Sequence, residues 1–365
     1  MVHTPFAITA SHDRLLRLVD FSKQQLRCTL FGHKFGINCC AMTPDALWAV
    51  SGDQGGIIRI WNLTRRQQTY HSSTESLSHK GAVTCCAVHC NHEPLAEAPT
   101  DSVAASTAAA LQAPHVWFVT GSLDRTLAVW DCTSSVPLLH LDGHSEGVSC
   151  VAISPNGSVI LSGDGGHVPR ARGEIRMWDR SNGTCVQKLA AHSGGVSSIE
   201  WANNGRWFCS GCIDQTVRIF DSEGALRRAL DGHTGPVRDV LISNSGRWLM
   251  SSSDDETMRV WDAEAGRQVV QLVGHEGPVT GIAISVDDTT VCSVGTDKTT
   301  RLWDMRHIDS VIQRKYNRRQ KERQLAGYGD IKHDMANATH DETAADVAER
   351  AKGHTNEVRR QDDVY

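Results

Sequence analysis

The chain has 365 residues, a formal net charge of −5 and 40% hydrophobic residues, the profile of an ordinary globular protein. Its mildly acidic balance argues against a fold that binds nucleic acid over its whole surface, and no run of eighteen apolar residues suggests a membrane-spanning helix. Met1–Ala10 lacks the apolar core of a secretory signal, and ten of the twelve cysteines fall in or beside strand-like apolar bursts, so free thiols in a cytoplasmic or nuclear compartment are expected.

Along the chain one ruler recurs. Thr9 opens it, with Asp13 and Val19 at offsets that return in later units. His33, His144, His192, His233 and His275 are each followed eighteen residues later by Ser51, Ser162, Ser210, Ser251 and Ser293. Ten residues beyond the Ser stands Trp61, Phe220, Trp261 or Trp303 in four of these five units, and in the fifth Trp178 comes six residues late. His79 and Thr120 are separated by a longer insertion, after which Thr120 and Trp130 resume the spacing of ten. A recurrence of about 41 to 48 residues marks an array of similar units.

Within 236–262 the bursts PVRDVLIS, RWLMSSS and TMRVWD are separated by NSG and DDE, and RQVVQLVGH follows as a fourth. Alternating β-branched and aromatic residues between turn-forming ones predict four short antiparallel strands per unit. Such units bury both faces only by stacking on their neighbours, and about seven of them close most economically into a ring.

Gly-His at 32–33, 143–144, 232–233 and 274–275 and Trp-Asp at 130–131, 178–179, 261–262 and 303–304 recur in register, and with them the chain resembles the WD-repeat β-propeller family over 1–304. The resemblance implies an all-β, seven-bladed propeller and, in each blade, a buried network of the Gly-His histidine, a strand Ser or Thr, a turn Asp four residues on and the Trp. The matching sets here are His79, Thr120, Asp124 and Trp130; His192, Ser210 and Asp214; His233, Ser251, Asp255 and Trp261; and His275, Ser293, Asp297 and Trp303. Gly55 and Gly166 stand where Asp is expected, while Phe220 and Val19 replace the Trp, so less rigid blades are expected there.

Two insertions depart from the ruler. The Ala/Ser/Pro-rich 91–114 falls between a first and a second strand, and 163–174 between a second and a third, so they should emerge on opposite faces. The second carries Arg170 and Arg172, candidate contacts for an acidic partner, against the plainer reading of a solvated loop. The cluster Cys85, Cys86, His89, Cys90 and His92 lacks the paired spacing of a zinc site, and no metal or cofactor is expected. Trp48, Trp117, Trp207 and Trp248 each stand three residues before the strand Ser or Thr; packing between blades explains them more simply than an aromatic binding face.

After Trp303 the two-residue period stops. Ile308, Val311, Ile312 and Tyr316 recur at helical spacing, so a helix is expected over 307–325 within a charged tail, 305–352. Arg314, Lys315, Arg318 and Arg319 line its polar side, either as a solvated face or as partner contacts. In 353–365, Gly353, His354, Thr355 and Val358 match the start of GHTGPVRDVLIS, so this segment could supply the first strand that the N-terminal unit lacks and close the ring.

The repeated His, Ser and Asp look like a hydrolase triad, but a catalytic set is needed once and a structural set once per blade. No phosphate-binding loop is present. The sequence therefore points to a non-enzymatic protein-interaction scaffold, a subunit of a larger assembly, with other proteins as partners and neither a membrane nor a small-molecule substrate. Alternatives are a ribonucleoprotein adaptor that holds RNA through the basic run 314–323, and a ciliary or cytoskeletal platform.

Overall fold

The computed structural model describes residues 6–20, 23, 25–63, 67–71, 79–91, 115–132, 137–166, 168, 172–285 and 287–306. The expected helix at 307–325, the acidic stretch after it, the expected strand in 353–365 and most of the 91–114 insertion lie outside the described residues. The described secondary structure is nearly all strand, in seven antiparallel sheets. No helix among the described residues is long and apolar enough to cross a membrane.

Two compact units divide the chain, 1–201 and 202–365. The first begins with a three-stranded sheet of β1 (Phe6–Ala10), β2 (Leu16–Asp20) and β3 (Gln25–Leu30). Three four-stranded sheets follow: β4 (Ile37–Met42), β5 (Trp48–Asp53), β6 (Ile58–Asn62) and β7 (Gln67–His71); β8 (Val83–Asn91), β9 (His115–Ser122), β10 (Thr126–Asp131) and β11 (Pro137–Asp142); β12 (Val148–Ile153), β13 (Val159–Asp164), β14 (Ile175–Asp179) and β15 (Cys185–Leu189). β16 (Val196–Trp201) ends this unit. The second unit holds β17 (Trp207–Cys212), β18 (Val217–Asp221) and β19 (Leu226–Leu230), then the sheet of β20 (Val237–Ile242), β21 (Trp248–Ser253), β22 (Thr257–Asp262) and β23 (Arg267–Val273), and then β24 (Val279–Ile284), β25 (Thr290–Gly295) and β26 (Thr300–Asp304). The two insertions fall between β8 and β9 and between β13 and β14.

The core lies between sheets. Leu127 and Val129 of β10 pack with Val148, Ile160 and Trp178 of the next sheet, while their neighbours Ala128 and Trp130 face back toward Val50, Ile58 and Ile60. Alternation along a strand thus feeds two apolar layers, which is why both faces read as hydrophobic. The phased tryptophans belong to these layers. Trp117 shares a cluster with Trp178, Trp207 with Trp261 and Trp248 with Trp303, and Trp48 packs against the cluster of Trp130. Each fills the gap beside the indole of the following sheet.

Two recurrent β-bulges aim polar side chains. In β4, β8 and β12 the register shifts between Ile37 and Cys39, Val83 and Cys85, and Val148 and Cys150. The extra residue in each turns its side chain toward the next sheet. Asn38 Nδ2 donates to the Val83 carbonyl at 2.9 Å, Thr84 Oγ1 to Val148 at 2.5 Å and Ser149 Oγ to Val196 at 2.5 Å. A second bulge falls just before Trp61, Trp130, Trp178 and Trp261, and so re-aims each indole toward its strand hydroxyl.

Candidate functional site

The recurring polar groups meet in five described networks. The indole Nε1–H of Trp61, Trp130, Trp178, Trp261 and Trp303 donates to Ser51, Thr120, Ser162, Ser251 and Ser293 at 2.8 to 2.9 Å. Those hydroxyls lie 2.6 to 2.9 Å from Nε2 of His33, His79, His144, His233 and His275. The histidine Nδ1 lies 2.8 to 3.1 Å from a carboxylate oxygen. Since a carboxylate only accepts and an indole only donates, one assignment satisfies every member. The hydroxyl accepts from the indole and donates to Nε2, and Nδ1–H donates to Asp. All five hydroxyl-bearing residues are fully buried.

The carboxylate also pins its own turn. Asp124 accepts from the Lys80 N–H at 2.8 Å and the Thr126 N–H at 3.0 Å. Asp255 accepts from Thr234 and Thr257, and Asp297 from Glu276 and Thr299, in the same way. For Asp124 and Asp255, burial pushes the carboxyl upward, but hydrogen bonds from His79 with Thr126, and from His233 with Thr257, outweigh it and hold both groups well below the usual carboxylate range. In Asp297, burial is likewise outweighed by the Thr299 and Glu276 amides together with His275.

The two glycine-bearing blades correct the sequence reading. Gly55 and Gly166 do not mark missing carboxylates, because Asp53 and Asp164, two residues earlier at the ends of β5 and β13, meet His33 and His144 at 2.8 and 3.0 Å. Their side chains are fully buried, whereas that of Asp124 is 13% exposed. These networks are therefore complete, and the loss of rigidity expected there has no basis in a missing acceptor. Desolvation raises the Asp164 carboxyl, yet His144 and the Glu174 amide bring it below its ordinary value.

The exchange involves a third position. Where the carboxylate sits in the turn, the second residue after His is Gly81, Gly235 or Gly277. A Cβ on Gly81 or Gly235 would come within 2.8 Å of the backbone nitrogen of Asp124 or Asp255. Where the carboxylate sits on the strand, that position holds Phe35 or Glu146. Gly55 then leaves room for the Phe35 ring, which a Cβ at residue 55 would strike. Moving the carboxylate out of the turn also frees the turn length: Asp164 accepts from Glu174, ten residues on, at 2.8 Å across the insertion.

His192 is buried in the first unit, and Ser210 is buried in the second, where Asp214 accepts from Thr216 N–H at 3.2 Å and Oγ1 at 2.7 Å. Phe220 stacks on Phe208 at 5.1 Å, so an aromatic pair fills the place of an indole. In the first sheet Thr9 is exposed, and Asp13 accepts from Arg17 at 2.6 Å and Leu15 N–H at 3.0 Å. Arg172 is exposed, whereas Arg170, Arg314, Lys315, Arg318 and Arg319 lie outside the described residues.

A recurrent arginine escaped the sequence reading. Arg59, Arg176, Arg259 and Arg301 each pair across the sheet with the network Ser, and Arg176 and Arg259 are buried. In the third blade the position is Ala128. The same ruler could have found them, since Arg59, Arg259 and Arg301 stand eight residues after the Ser. Burial lowers the Arg259 guanidinium, and Asp255, 4.0 Å away, opposes that shift.

Seven antiparallel sheets among the described residues, five of them with a described His–hydroxyl–indole set, define a protein of the β-propeller class. The family model described as WD domain, G-beta repeat matches 24–62, 97–131, 135–179, 183–221, 224–262 and 266–304, well over half of the chain, and the chain belongs to that family. It is similar to Mitochondrial division protein 1 of Saccharomyces cerevisiae, 32% identical over 130 residues, covering 36% of this chain and 17% of that protein. It is also similar to Cilia- and flagella-associated protein 52 of Sus scrofa, 24% identical over 170 residues, covering 41% of this chain and 26% of that protein. Nuclear distribution protein PAC1-2 of Uncinocarpus reesii is 27% identical over 183 residues, covering 48% of this chain and 36% of that protein. The chain thus spans no more than 36% of the length of these relatives.

Proposed function

We propose that the chain is a non-enzymatic protein-interaction scaffold and a subunit of a larger multiprotein assembly. The observation that carries this reading is the burial of the chemistry. Ser51, Thr120, Ser162, Ser251 and Ser293 are each 0% exposed, and each already holds an indole N–H and an imidazole. A nucleophile must reach its substrate, and these hydroxyls reach only protein. The exposed turn residues are left to meet a partner, and WD repeats are in general interaction modules.

The relatives' names refer to mitochondrial division, to cilia and flagella and to nuclear distribution. Proteins named for such different processes share the repeat and not a pathway. A ciliary platform is a second reading, favoured by the 170-residue similarity to Cilia- and flagella-associated protein 52. The RNA-adaptor alternative has its motive in the basic run 314–323, outside the described residues. Purification of the tagged full chain from its own cells, with quantitative mass spectrometry, tests the proposal. Stoichiometric protein partners are expected. Recovery of the chain alone, or an esterase activity lost in Ser251→Ala, contradicts it.

A further inference from the structure

We propose that the free edge of β1 is a strand-docking site for the chain's own C-terminal segment, 353–361, which sets His354 against Thr9 and Asp13. This site is independent of the scaffold reading. β1 is a strand of interior character left at an edge. In the complete sheets β5, β9, β13 and β21 each run between two strands, one of which is the preceding β4, β8, β12 or β20. β1 takes the same place, because Thr9 lies opposite Arg17 as Ser51 lies opposite Arg59 and Ser251 opposite Arg259. Yet among the described residues β1 pairs with β2 alone. Ser51, Thr120, Ser162 and Ser251 are fully buried at this position, whereas Thr9 is exposed.

Half of a network already stands there. Asp13 N–H donates to Ser11 Oγ at 3.2 Å, as Asp124 N–H does to Ser122 and Asp255 N–H to Ser253 at 3.1 Å. Asp13 Oδ1 accepts from Leu15 N–H at 3.0 Å, as Asp124 and Asp255 accept from Thr126 and Thr257. The other oxygen differs. In Asp124 and Asp255, Oδ2 meets the imidazole and the amide that follows it. In Asp13 it takes Arg17 instead, and the side chain is 42% exposed, against 13% and 5% in the complete sets. The turn is thus ready for a histidine and the N–H after it.

The chain's own end has the matching spacing. His33, His79, His144, His233 and His275 are each followed four residues later by Ile37, Val83, Val148, Val237 or Val279, all buried. Beyond residue 306 only His354 combines a preceding glycine with such a residue, Val358. In that register Val358 falls opposite Ser11 and Gln361 opposite Thr9, as Ile37 does to Asp53 and Cys40 to Ser51. Gln361, polar where other sheets place Cys40, Cys86 or Val151, shares a face with exposed Thr9 and stays hydrated. Reach is no obstacle, because even with 307–325 helical the 27 residues of 326–352 extend to about 90 Å. Docking also covers a ladder edge that would otherwise invite other strands.

Hydrogen exchange of the full chain, followed by mass spectrometry on peptides that cover β1 with β10 as internal reference, tests this. His354→Ala should speed exchange in β1 about tenfold, the order expected when buried polar groups lose a partner. Thr9→Val, which removes the hydroxyl that His354 would meet, should act alike, and His340→Ala should change nothing. The pair Thr9→Val with His354→Ala should be little worse than either alone, since both remove one contact. Should His354→Ala speed β10 as well, Thr9→Val decides, because Thr9 is exposed and the exchange nearly conserves shape. The proposal is overturned if β1 exchanges alike in the parent, His354→Ala and Thr9→Val, or if the two effects add in full. Exchange in β1 that slows as protein concentration rises would assign the strand to a second copy and overturn it too. So would protection of β1 that appears only with partners bound, which would assign the edge to a foreign strand.

Discussion

Asp53→Ser removes the carboxylate from His33 Nδ1–H at 2.8 Å and Ile57 N–H at 3.0 Å, while the Ser hydroxyl can still accept from Gly55 N–H as Ser122 Oγ does from Asp124 N–H at 3.1 Å. The histidine side chain is 0% exposed and cannot turn to water, so its orphaned donor costs about 1–3 kcal/mol. The Ile57 amide lies in a turn that water reaches at Gly55, and its loss adds roughly 0.5–1 kcal/mol. A loss of about 3 kcal/mol follows, which lowers the thermal midpoint by roughly 6–12 °C at about 2–4 °C per kcal/mol. Circular dichroism melts and urea titration read it directly. The decisive arm is a rescue. Asp53→Ser with Gly55→Asp and Phe35→Gly rebuilds the pattern of Ser122, Asp124 and Gly81 and should recover most of the loss. The same double exchange with Phe35 retained should not, because the new Cβ at residue 55 strikes the ring. If Asp53→Ser leaves the midpoint unmoved, or if the rescue is indifferent to Phe35, the three-position exchange is wrong.

Trp261→Phe should cost about 1 kcal/mol, since Ser251 keeps its imidazole partner, whereas Ser251→Ala orphans the Trp261 N–H and His233 Nε2 together and should cost more; equal urea midpoints would refute this order. Asp124, Asp164, Asp255 and Asp297 titrate below their ordinary values when folded, so their contribution is complete above the unfolded carboxyl range near pH ~4 and is lost progressively as pH falls below it toward the lower folded values. Urea midpoints should therefore drop below about pH 4, and a maximum at pH ~3 would contradict the sign. Thr84→Val should weaken the tie to Val148 by roughly 1 kcal/mol without altering the sheet, measured as faster amide exchange in β12. Truncation after Ala351 should destabilise the fold if 353–360 covers the open side of the sheet where Thr9 stands exposed; amides of 355–360 that exchange like a free terminus would reject that closure.

Much of the fold was legible because the repeat imposes its period on residues that cannot be exchanged freely. A buried hydroxyl needs an indole ten residues on and an imidazole eighteen residues back, and that spacing sets the strand lengths and the turns between them. The carboxylate was read wrongly in two blades because it has two routes to the same Nδ1, one from the turn and one from the strand end. The reciprocal placement of Asp53 with Gly55 and Phe35, against Ser122 with Asp124 and Gly81, was in the sequence, but its meaning depends on a clash between residues that only folding brings together. The bulges at Asn38, Thr84 and Ser149 were illegible for another reason: an extra residue in a strand leaves no mark on an alternation already interrupted by Cys39 and Cys85.

The proposed work of this chain is to hold other proteins on a frame that its buried histidines and serines build. The native mass of the full chain, drawn from its own cells and measured by light scattering after size exclusion with and without ribonuclease, tests this most directly. The expected result is a species well above the 39.9 kDa of the chain, with protein partners in fixed ratio and unchanged by ribonuclease. A species at 39.9 kDa without partners, or an assembly that ribonuclease dissolves, would contradict it.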